Sequence, residues 1–148
     1  MDKVNLVLFN AKLLLLITTT IFCCASYAAD VQTQGEMNEA ACKEYKDAEQ
    51  VMTRIYKQIL MEYRTDKVFV KKLKIAQGAW TNYKNAHVEA IYPNTDRSEY
   101  GTVYEMCRCD VLAAMTKNRT KELEQWSDGV DEGDVCAGSR KSKIQTAE

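Results

Sequence analysis

The amino-acid sequence predicts an all-α fold: a small three-helix bundle, or a helical hairpin plus a third helix, cross-linked by disulfides. In three segments the apolar residues recur at steps of three and four, which is the period of one helix face. No segment of the sequence alternates apolar and polar residues between turn signals, so strands are not expected. With 148 residues, 46% of them hydrophobic and 28% charged, the chain has the composition of one globular domain.

The start of the chain has the pattern of a secretory signal peptide. Lys3 and Lys12 precede an apolar run over residues 13–24, and small residues stand before a cut after Ala28. The run is shorter than the roughly 20 residues that span a bilayer, so we expect no stable membrane insertion after cleavage. The predicted organisation is a signal peptide over residues 1–28, a helical domain over residues 29–138 and a flexible polar tail over residues 139–148.

The first two helices are predicted on either side of a short polar turn. The first runs from Glu36 to about Tyr63 and contains no proline or glycine. Thr65 and Asp66 then supply cap residues for the second helix, which ends before Pro93. The stripe of the first helix is Ala41, Tyr45, Ala48, Met52, Ile55 and Ile59, and that of the second is Phe69, Leu73, Ala76, Trp80, Tyr83, His87 and Ala90.

A third helix is predicted from about Val103 to Trp126. It follows a polar, turn-rich stretch at residues 94–101, and an acidic loop at residues 128–134 comes after it. Its apolar stripe again has steps of three and four, and predicts a face packed against the other two helices. This stripe is Cys109, Leu112, Thr116, Arg119, Leu123 and Trp126.

Two polar residues, Thr116 and Arg119, take positions on this stripe that apolar residues hold elsewhere. A buried arginine must be paired, because an isolated charge is too costly to remove from water. Two alternatives therefore stay open for Arg119. It pairs with Glu49 of the first helix, or its guanidinium reaches solvent over an apolar stem.

Four of the six cysteines lie beyond the predicted signal. Export implies an oxidising compartment, where an even number of cysteines in a small domain indicates disulfides. Cys107 and Cys109 point about 200° apart on a helix, so we do not expect them to bond to each other. We favour Cys42–Cys109 with Cys107–Cys136, while Cys42–Cys107 with Cys109–Cys136 stays open.

The sequence gives little support for catalysis or for a cofactor. Structural zinc usually takes closely paired ligands, and here one C-x-C pair stands with two isolated cysteines and the single His87. His87 falls on a predicted stripe, where packing is the simpler interpretation. A net charge of −1 argues against a nucleic-acid partner, which needs a basic face. We therefore predict no metal, no cofactor, no nucleic acid and no enzyme activity.

An ordered set of motif residues runs through the three predicted helices. They are Tyr45, Glu49 and Tyr56 in the first helix, Trp80 and Tyr83 in the second, and Thr116, Arg119, Leu123 and Trp126 in the third. In this order and spacing, over roughly residues 34–126, the chain resembles the LprI-type lysozyme-inhibitor domain family (unknown-function family 1311). Most of these residues lie on the stripes, so we interpret them as core residues that identify a scaffold rather than a site.

Three positions depart from the pattern of that family. Lys84 stands where an arginine usually follows the tyrosine of the second helix, and Glu49 replaces the usual aspartate of the first helix. Val88 stands where a cysteine is common. We expect the fold to be kept, with a different disulfide pattern.

The resemblance implies a small exported helical protein, periplasmic or secreted, whose characterised relative inhibits lysozyme. We therefore predict a protein that binds and inhibits lysozyme or a related cell-wall hydrolase. Because many lysozymes are basic, acidic loops would steer and dock such a partner. The candidate contact residues are Asp96, Glu99, Asp128, Asp131, Glu132 and Asp134.

Two other functions stay open at this point. The same scaffold could serve as an immunity or accessory protein against a secreted wall-degrading effector. An enzyme of unknown class is the third alternative, and it requires a free thiol or an acid pair near His87.

Overall fold

Three long helices make up most of the computed structural model, which describes residues 32–143. They are α1 (Gln34–Glu62), α2 (Lys67–Ile91) and α3 (Tyr104–Ser127), with a 3-10 helix over Arg97–Tyr100 between α2 and α3. Within residues 32–143 there is no strand, and a single parallel β-bridge joins Val130 to Ser142. The all-α prediction is confirmed, because each helix was expected within a few residues of its observed bounds.

The residues that predict turns in the sequence cap the start of α2 and end it. The Asp66 side chain accepts a hydrogen bond from the backbone nitrogen of Phe69 at 2.9 Å, which satisfies a free donor in the first turn of α2. Pro93 lacks a backbone N–H and disfavours the helical conformation in the residue before it, so α2 ends at Ile91. The stretch after Pro93 was predicted only as polar turns, and the structure adds the short 3-10 helix there.

The helices run up, down and up, so α1 and α3 are parallel and α2 is antiparallel to both. The Cys42–Cys109 disulfide joins the starts of α1 and α3. At their ends, the Tyr63 hydroxyl donates to the carbonyl oxygen of Trp126 at 3.2 Å. The Tyr63 ring also lies 4.6 Å from the ring of Phe69, which places the start of α2 beside the end of α1.

The apolar core lies at the end of the bundle where α1 turns into α2. Phe69 and Tyr63 from the two sides of this turn meet Leu123 of α3 there. Burial of a large apolar side chain contributes about 1.5–3 kcal/mol, so this cluster is a main source of stability. Its buried members are Met52, Ile59, Tyr63, Phe69, Leu73 and Leu123, with Tyr56, Trp80 and Trp126 packed against them.

Small residues allow α1 and α3 to approach each other closely toward their starts. The Cα atoms of Cys42 and Cys109 are 4.9 Å apart. Thr116 is fully buried, as its stripe position predicts, and its hydroxyl donates to the carbonyl oxygen of Leu112 at 2.7 Å. Its polarity is therefore satisfied within its own helix. The other small buried residues are Ala41 and Ala48 on α1 and Ala113 and Thr120 on α3.

The buried face of α2 differs from the predicted stripe. Beyond the apolar core, its buried residues are Gln77, Lys84 and Val88, whereas Tyr83 is 58% exposed. The prediction that Tyr83 is a core residue is therefore wrong. The helix turns another face inward because Gln77 and Lys84 find polar partners on α1 and α3. The remaining stripe residues on the outer side are Ala76 and Ala90, which are exposed, and His87, which is half-buried.

Of the two disulfides in the favoured pairing, the structure contains one. Cys42 and Cys109 form a disulfide, as the helix phase predicts. Cys107 and Cys136 are free thiols, the first half-buried and the second exposed. The predicted Cys107–Cys136 bond is therefore wrong, and so is the swapped pairing that was left open.

Cys107 and Cys136 do not bond because they lie near opposite ends of α3. The carbonyl oxygen of Cys136 accepts a hydrogen bond from Arg140 at 2.7 Å, and the same guanidinium donates to Gln125 at 3.1 Å. Gln125 lies in the last turns of α3 and Cys107 in the first, about 27 Å apart at 1.5 Å per residue. The loop that carries Cys136 therefore folds at the wrong end of the helix for this bond.

Candidate functional site

A buried polar cluster holds α2 against α1. Its centre is Lys84, whose side chain is 5% exposed. The ammonium donates to Glu49 Oε1 at 2.7 Å and to the Tyr45 hydroxyl at 2.8 Å. The Tyr45 hydroxyl in turn donates to the same carboxylate oxygen at 2.5 Å, and the Trp80 ring lies 5.2 Å from the ammonium. The buried charge is thus fully paired.

The two charges of this cluster support each other. Burial acts to lower the pKa of Lys84, but its bonds to Glu49 and Tyr45 outweigh burial and raise that pKa. Burial acts to raise the pKa of Glu49, but the bonds from Lys84 and Tyr45 lower it. Burial and the bond to Glu49 raise the pKa of Tyr45. The cluster is therefore charged at neutral pH and serves as a link between helices rather than as an acid or base.

Arg119 is paired, but its partner is not Glu49. Its Nε donates to Gln77 Oε1 at 3.0 Å and its Nη1 to Glu122 Oε2 at 2.7 Å. The side chain is 12% exposed. The Glu49 alternative is wrong because Lys84 already holds that carboxylate. Arg119 therefore links α3 to α2 rather than to α1.

One group of potential metal ligands is close together among residues 32–143. The donor atoms of Cys42, Cys109 and Glu105 lie within 4.8 Å of one another. The two sulfurs are bonded to each other, so they are not thiolates, and thiolates are the form that binds zinc. Glu105 alone is left as a donor in this group.

The loop between α2 and α3, residues 94–101, is exposed yet held by its own hydrogen bonds. The Asp96 carboxylate accepts from the Ser98 backbone nitrogen at 3.0 Å and from its hydroxyl at 2.6 Å, and these bonds lower the pKa of Asp96. The Asn94 backbone nitrogen donates to the Tyr100 hydroxyl at 2.7 Å. The two predicted contact residues of this loop, Asp96 and Glu99, are both exposed.

Aromatic rings anchor this loop to α3. The ring centroids of Tyr92, Tyr100 and Tyr104 are 5.2 to 5.6 Å apart in all three pairs. Arg97 lies over the Tyr104 ring at 5.5 Å, and its Nη1 donates to the carbonyl oxygens of Tyr92 at 2.6 Å and Asn94 at 2.9 Å. The loop is therefore a preorganised surface feature.

A pocket of about 340 Å³ lies beside this loop, between α2 and α3. We call it the arginine pocket. The side chain of Arg108 is 39% exposed, and its nearest carboxylate, Glu105, is 3.7 Å away, which is longer than a hydrogen bond. The pocket is lined by the polar residues Asn85, Glu89, Arg97 and Arg108 and by the buried apolar residues Val88, Tyr104 and Leu112.

The acidic loop that follows α3 folds back against basic residues. Asp131 pairs with Lys143 at 2.9 Å. The Val130 nitrogen donates to the carbonyl oxygen of Lys141 at 2.9 Å, and the Lys143 nitrogen donates to that of Val130 at 2.7 Å. The Lys141 ammonium lies 4.4 Å from the centroid of the Tyr63 ring. The surface at this end therefore has mixed charge, although its other predicted contact residues, Asp128, Glu132 and Asp134, are exposed.

The two predicted contact loops lie at opposite ends of the bundle. Residues 94–101 lead into α3, and residues 128–134 leave it. The 24 residues of α3 extend over about 36 Å at 1.5 Å per residue. The six candidate contact residues therefore do not form one compact surface.

The family of the chain follows from its match to known protein families. The family described as lysozyme inhibitor LprI matches residues 24–123, more than half of the chain. The chain belongs to the LprI family. Neither a curated protein nor a solved structure matches it significantly. The matched range includes α1, α2, the loop between α2 and α3 and most of α3.

The LprI match separates the two predicted contact loops. Residues 94–101 lie inside the matched range, whereas residues 128–134 lie beyond its end at residue 123. The first loop therefore lies in the part of the chain that is similar to LprI proteins, and the second does not.

The motif residues noted in the sequence have a structural explanation. Two of the three positions at which departures from the family pattern were expected, Lys84 and Glu49, are the partners of one ion pair. The other motif residues lie in or against the core (Tyr56, Thr116, Leu123 and Trp126) or around the polar cluster (Tyr45 and Trp80), apart from exposed Tyr83 and half-buried Arg119.

Export of this LprI chain is predicted by residues 1–28, which lie outside the described residues. Within residues 32–143, no helix is long and apolar enough to cross a membrane. The family description points to an extracellular or periplasmic role. It also names inhibition rather than catalysis.

The sequence reasoning missed the residues of the arginine pocket. Asn85 and Glu89 are four apart on α2, and Arg108 and Leu112 are four apart on α3, so each pair shares a helix face. That spacing is visible in the sequence. The sequence does not reveal that these two pairs face each other between α2 and α3, because that depends on how the helices pack.

Proposed function

We propose that this LprI protein binds lysozyme or a related cell-wall hydrolase and inhibits it, with the loop at residues 94–101 as the contact element. The observation that carries the proposal is the match of residues 24–123 to a family described as a lysozyme inhibitor. The loop lies inside that range. It supplies exposed polar groups on a fixed backbone at one end of the bundle.

Rigidity supports the choice of this loop. A surface that is already ordered loses less conformational entropy on binding, so more of the contact energy is kept as affinity. The Asp96 cap and the Tyr92–Tyr100–Tyr104 cluster hold the loop before any partner arrives. Among the described residues the Glu99 carboxylate makes no hydrogen bond or ion pair, so it is available to a basic partner.

A pair of charge reversals tests the proposal. Both Glu99 and Glu132 are exposed and, within residues 32–143, take part in no ion pair, but they lie at opposite ends of the bundle. We expect Glu99→Arg to raise the concentration for half-inhibition of lysozyme about tenfold, because it places like charge against a basic partner. Glu132→Arg is the matched control and should leave inhibition within about twofold. A turbidity assay of wall lysis measures both.

The possible outcomes test two points separately: whether the protein inhibits lysozyme, and which loop contacts it. If the unaltered protein neither slows lysis nor forms a complex on a sizing column, inhibition of lysozyme is refuted. If inhibition occurs but Glu99→Arg behaves like Glu132→Arg, the loop is not the contact element. If Glu132→Arg alone weakens inhibition, the contact lies at the other end of the bundle.

A further inference from the structure

We propose that the arginine pocket binds a single carboxylate group. Binding of a free carboxylic acid there would be a property separate from lysozyme inhibition. Use of the pocket by an acidic side chain of lysozyme would rest on the proposed function. Both ligands share one chemistry, and the experiment below distinguishes them.

The charges of the pocket favour a carboxylate monoanion. Arg97 and Arg108 bring two positive charges, while Glu89 in the lining and Glu105, 3.7 Å from Arg108, bring two negative charges. A carboxylate adds only a single negative charge to this group. A phosphate dianion would bring excess negative charge beside Glu89, which costs energy between like charges. The charge balance thus favours the singly charged group.

The two guanidiniums have donors to spare. Arg97 uses only its Nη1 for the carbonyl oxygens of Tyr92 and Asn94, so its Nε and Nη2 have no hydrogen-bond partner among the described residues. Arg108 has only the long 3.7 Å contact with Glu105. A guanidinium presents its donors in a planar fork that matches the two oxygens of a carboxylate.

Position and size argue for a built site rather than chance surface charge. The two carbonyl bonds and the Tyr104 ring fix Arg97 before any ligand arrives, which lowers the entropy lost on binding. A volume of about 340 Å³ is near the lower end for ligand pockets, so it suits a side chain or a small acid. Val88 and Leu112, both buried, also line it.

Propionate is the probe, and propionamide is its neutral counterpart of the same shape. We expect propionate, at constant ionic strength and neutral pH, to cause saturable ¹H–¹⁵N shifts of the amides of Asn85, Glu89 and Arg108 in the purified protein. Propionamide should leave them unshifted. Equal shifts with both compounds, or none with either, would overturn the proposal.

Two pocket variants and one matched control identify the groups involved. Arg108→Gln should weaken propionate binding about tenfold, because charged hydrogen bonds are lost. Glu89→Gln should strengthen it about threefold, because repulsion is removed. Arg54→Gln makes the same change at an exposed site on α1 outside this pocket and should have no effect. Wild-type affinity in Arg108→Gln, with an unchanged melting curve, would refute the site.

Lysozyme binding then separates the two sources of the carboxylate. If saturating propionate and Arg108→Gln both weaken the lysozyme complex, the natural ligand is an acidic side chain of the protein partner. If propionate binds but the lysozyme complex is unaffected, the ligand is a free small acid. If propionate binds and lysozyme is never inhibited, the pocket stands and only the proposed function fails.

Discussion

At the scale of single residues, the most informative side chain is Lys84. Lysine is among the residues least often buried, and here it lies in the interior with a carboxylate and a hydroxyl at hydrogen-bond distance. No unpaired buried side-chain nitrogen or oxygen is left anywhere in residues 32–143. The interior therefore tolerates polar groups wherever their partners come from another helix.

Replacement of Lys84 should be costly for this reason. We expect Lys84→Met to lower the free energy of unfolding by about 1–3 kcal/mol, since it leaves Glu49 and Tyr45 without their donor. The loss is smaller than for a fully buried pair because Glu49 is 40% exposed and water can reach it. Lys74→Met, at an exposed site on the same helix, is the control and should change stability little. Urea unfolding measures the stability of both variants, and equal stability of Lys84→Met and Lys74→Met would contradict the role of Lys84.

Acid should weaken the same cluster. The pKa of Glu49 in the folded protein lies below the 4.5 of an unperturbed glutamate. Its pairing therefore contributes stability above that value, and the contribution is lost as the pH falls through the folded pKa. We expect Glu49→Gln to lose less stability than the wild type between neutral pH and pH about 3. Urea unfolding across this range measures the difference, and parallel losses would argue against the ion pair.

Lys84 shifts in the opposite direction and acts at high pH. Its pKa is raised above 10.5, so its contribution is complete below that value and declines only as the pH rises through the folded pKa. The cluster is thus intact between these two limits. Neutral pH lies well inside that window.

At the scale of elements, the segment after α3 shows how loops acquire order without helix or strand. Two backbone bonds close residues 130–143 on themselves, and three side-chain bonds tie them to the bundle. The Lys141 nitrogen donates to the Tyr63 hydroxyl at 3.2 Å, Arg140 donates to Gln125 at 3.1 Å, and the Trp126 indole donates to the Ser139 hydroxyl at 3.0 Å. The turn that starts this return has Gly129 at φ +74°. A Cβ at this position would lie 2.7 Å from the carbonyl oxygen of Lys141.

A substitution at this turn should release the segment without unfolding the helices. We expect Gly129→Ala to speed trypsin cleavage after Arg140 and Lys141 about tenfold, because the segment opens more often. Gly133→Ala shares the positive φ, +86°, but meets nothing within 4 Å, so it should have a smaller effect. Timed proteolysis with mass spectrometry measures both. Equal rates for the two variants would show that the contact with Lys141 does not hold the segment.

At the scale of the whole molecule, one disulfide joins the starts of the two parallel helices. It joins two residues 67 positions apart in the sequence, and the loop that it closes contains all of α2. A cross-link over such a loop restricts the unfolded chain, and chain entropy gives about 4 kcal/mol of stability in the native state. The apolar core stabilises the other end of the bundle, where Tyr63, Phe69 and Leu123 meet.

The cysteines give the corresponding prediction. The double variant Cys42→Ala, Cys109→Ala should lose about 2–4 kcal/mol of unfolding free energy in urea. Alkylation before reduction should label Cys107 and Cys136, and peptide mass spectrometry should find Cys42 joined to Cys109. Protection of both Cys107 and Cys136 from alkylation would contradict the free thiols of the structure.

Much of the fold could be read from periodicity, but the inner face of α2 could not. The stripe through Trp80 and Tyr83 is apolar, and helical spacing alone predicts that it is buried. The structure buries Gln77 and Lys84 instead, because Arg119 and Glu49 stand opposite them. Such partners belong to other helices, and no local pattern reveals them.

The sequence by itself determined the number and approximate bounds of the helices, the Asp66 cap and the stop before Pro93, and it favoured Cys42–Cys109 over Cys42–Cys107 without deciding between them. These features depend on neighbours along the chain or on the turn of one helix. Only the tertiary structure decided that Cys107 and Cys136 stay apart, that Lys143 meets the acidic loop, and that Arg97 and Arg108 share a pocket. These depend on which ends and faces meet in space, which helix packing and chain direction fix.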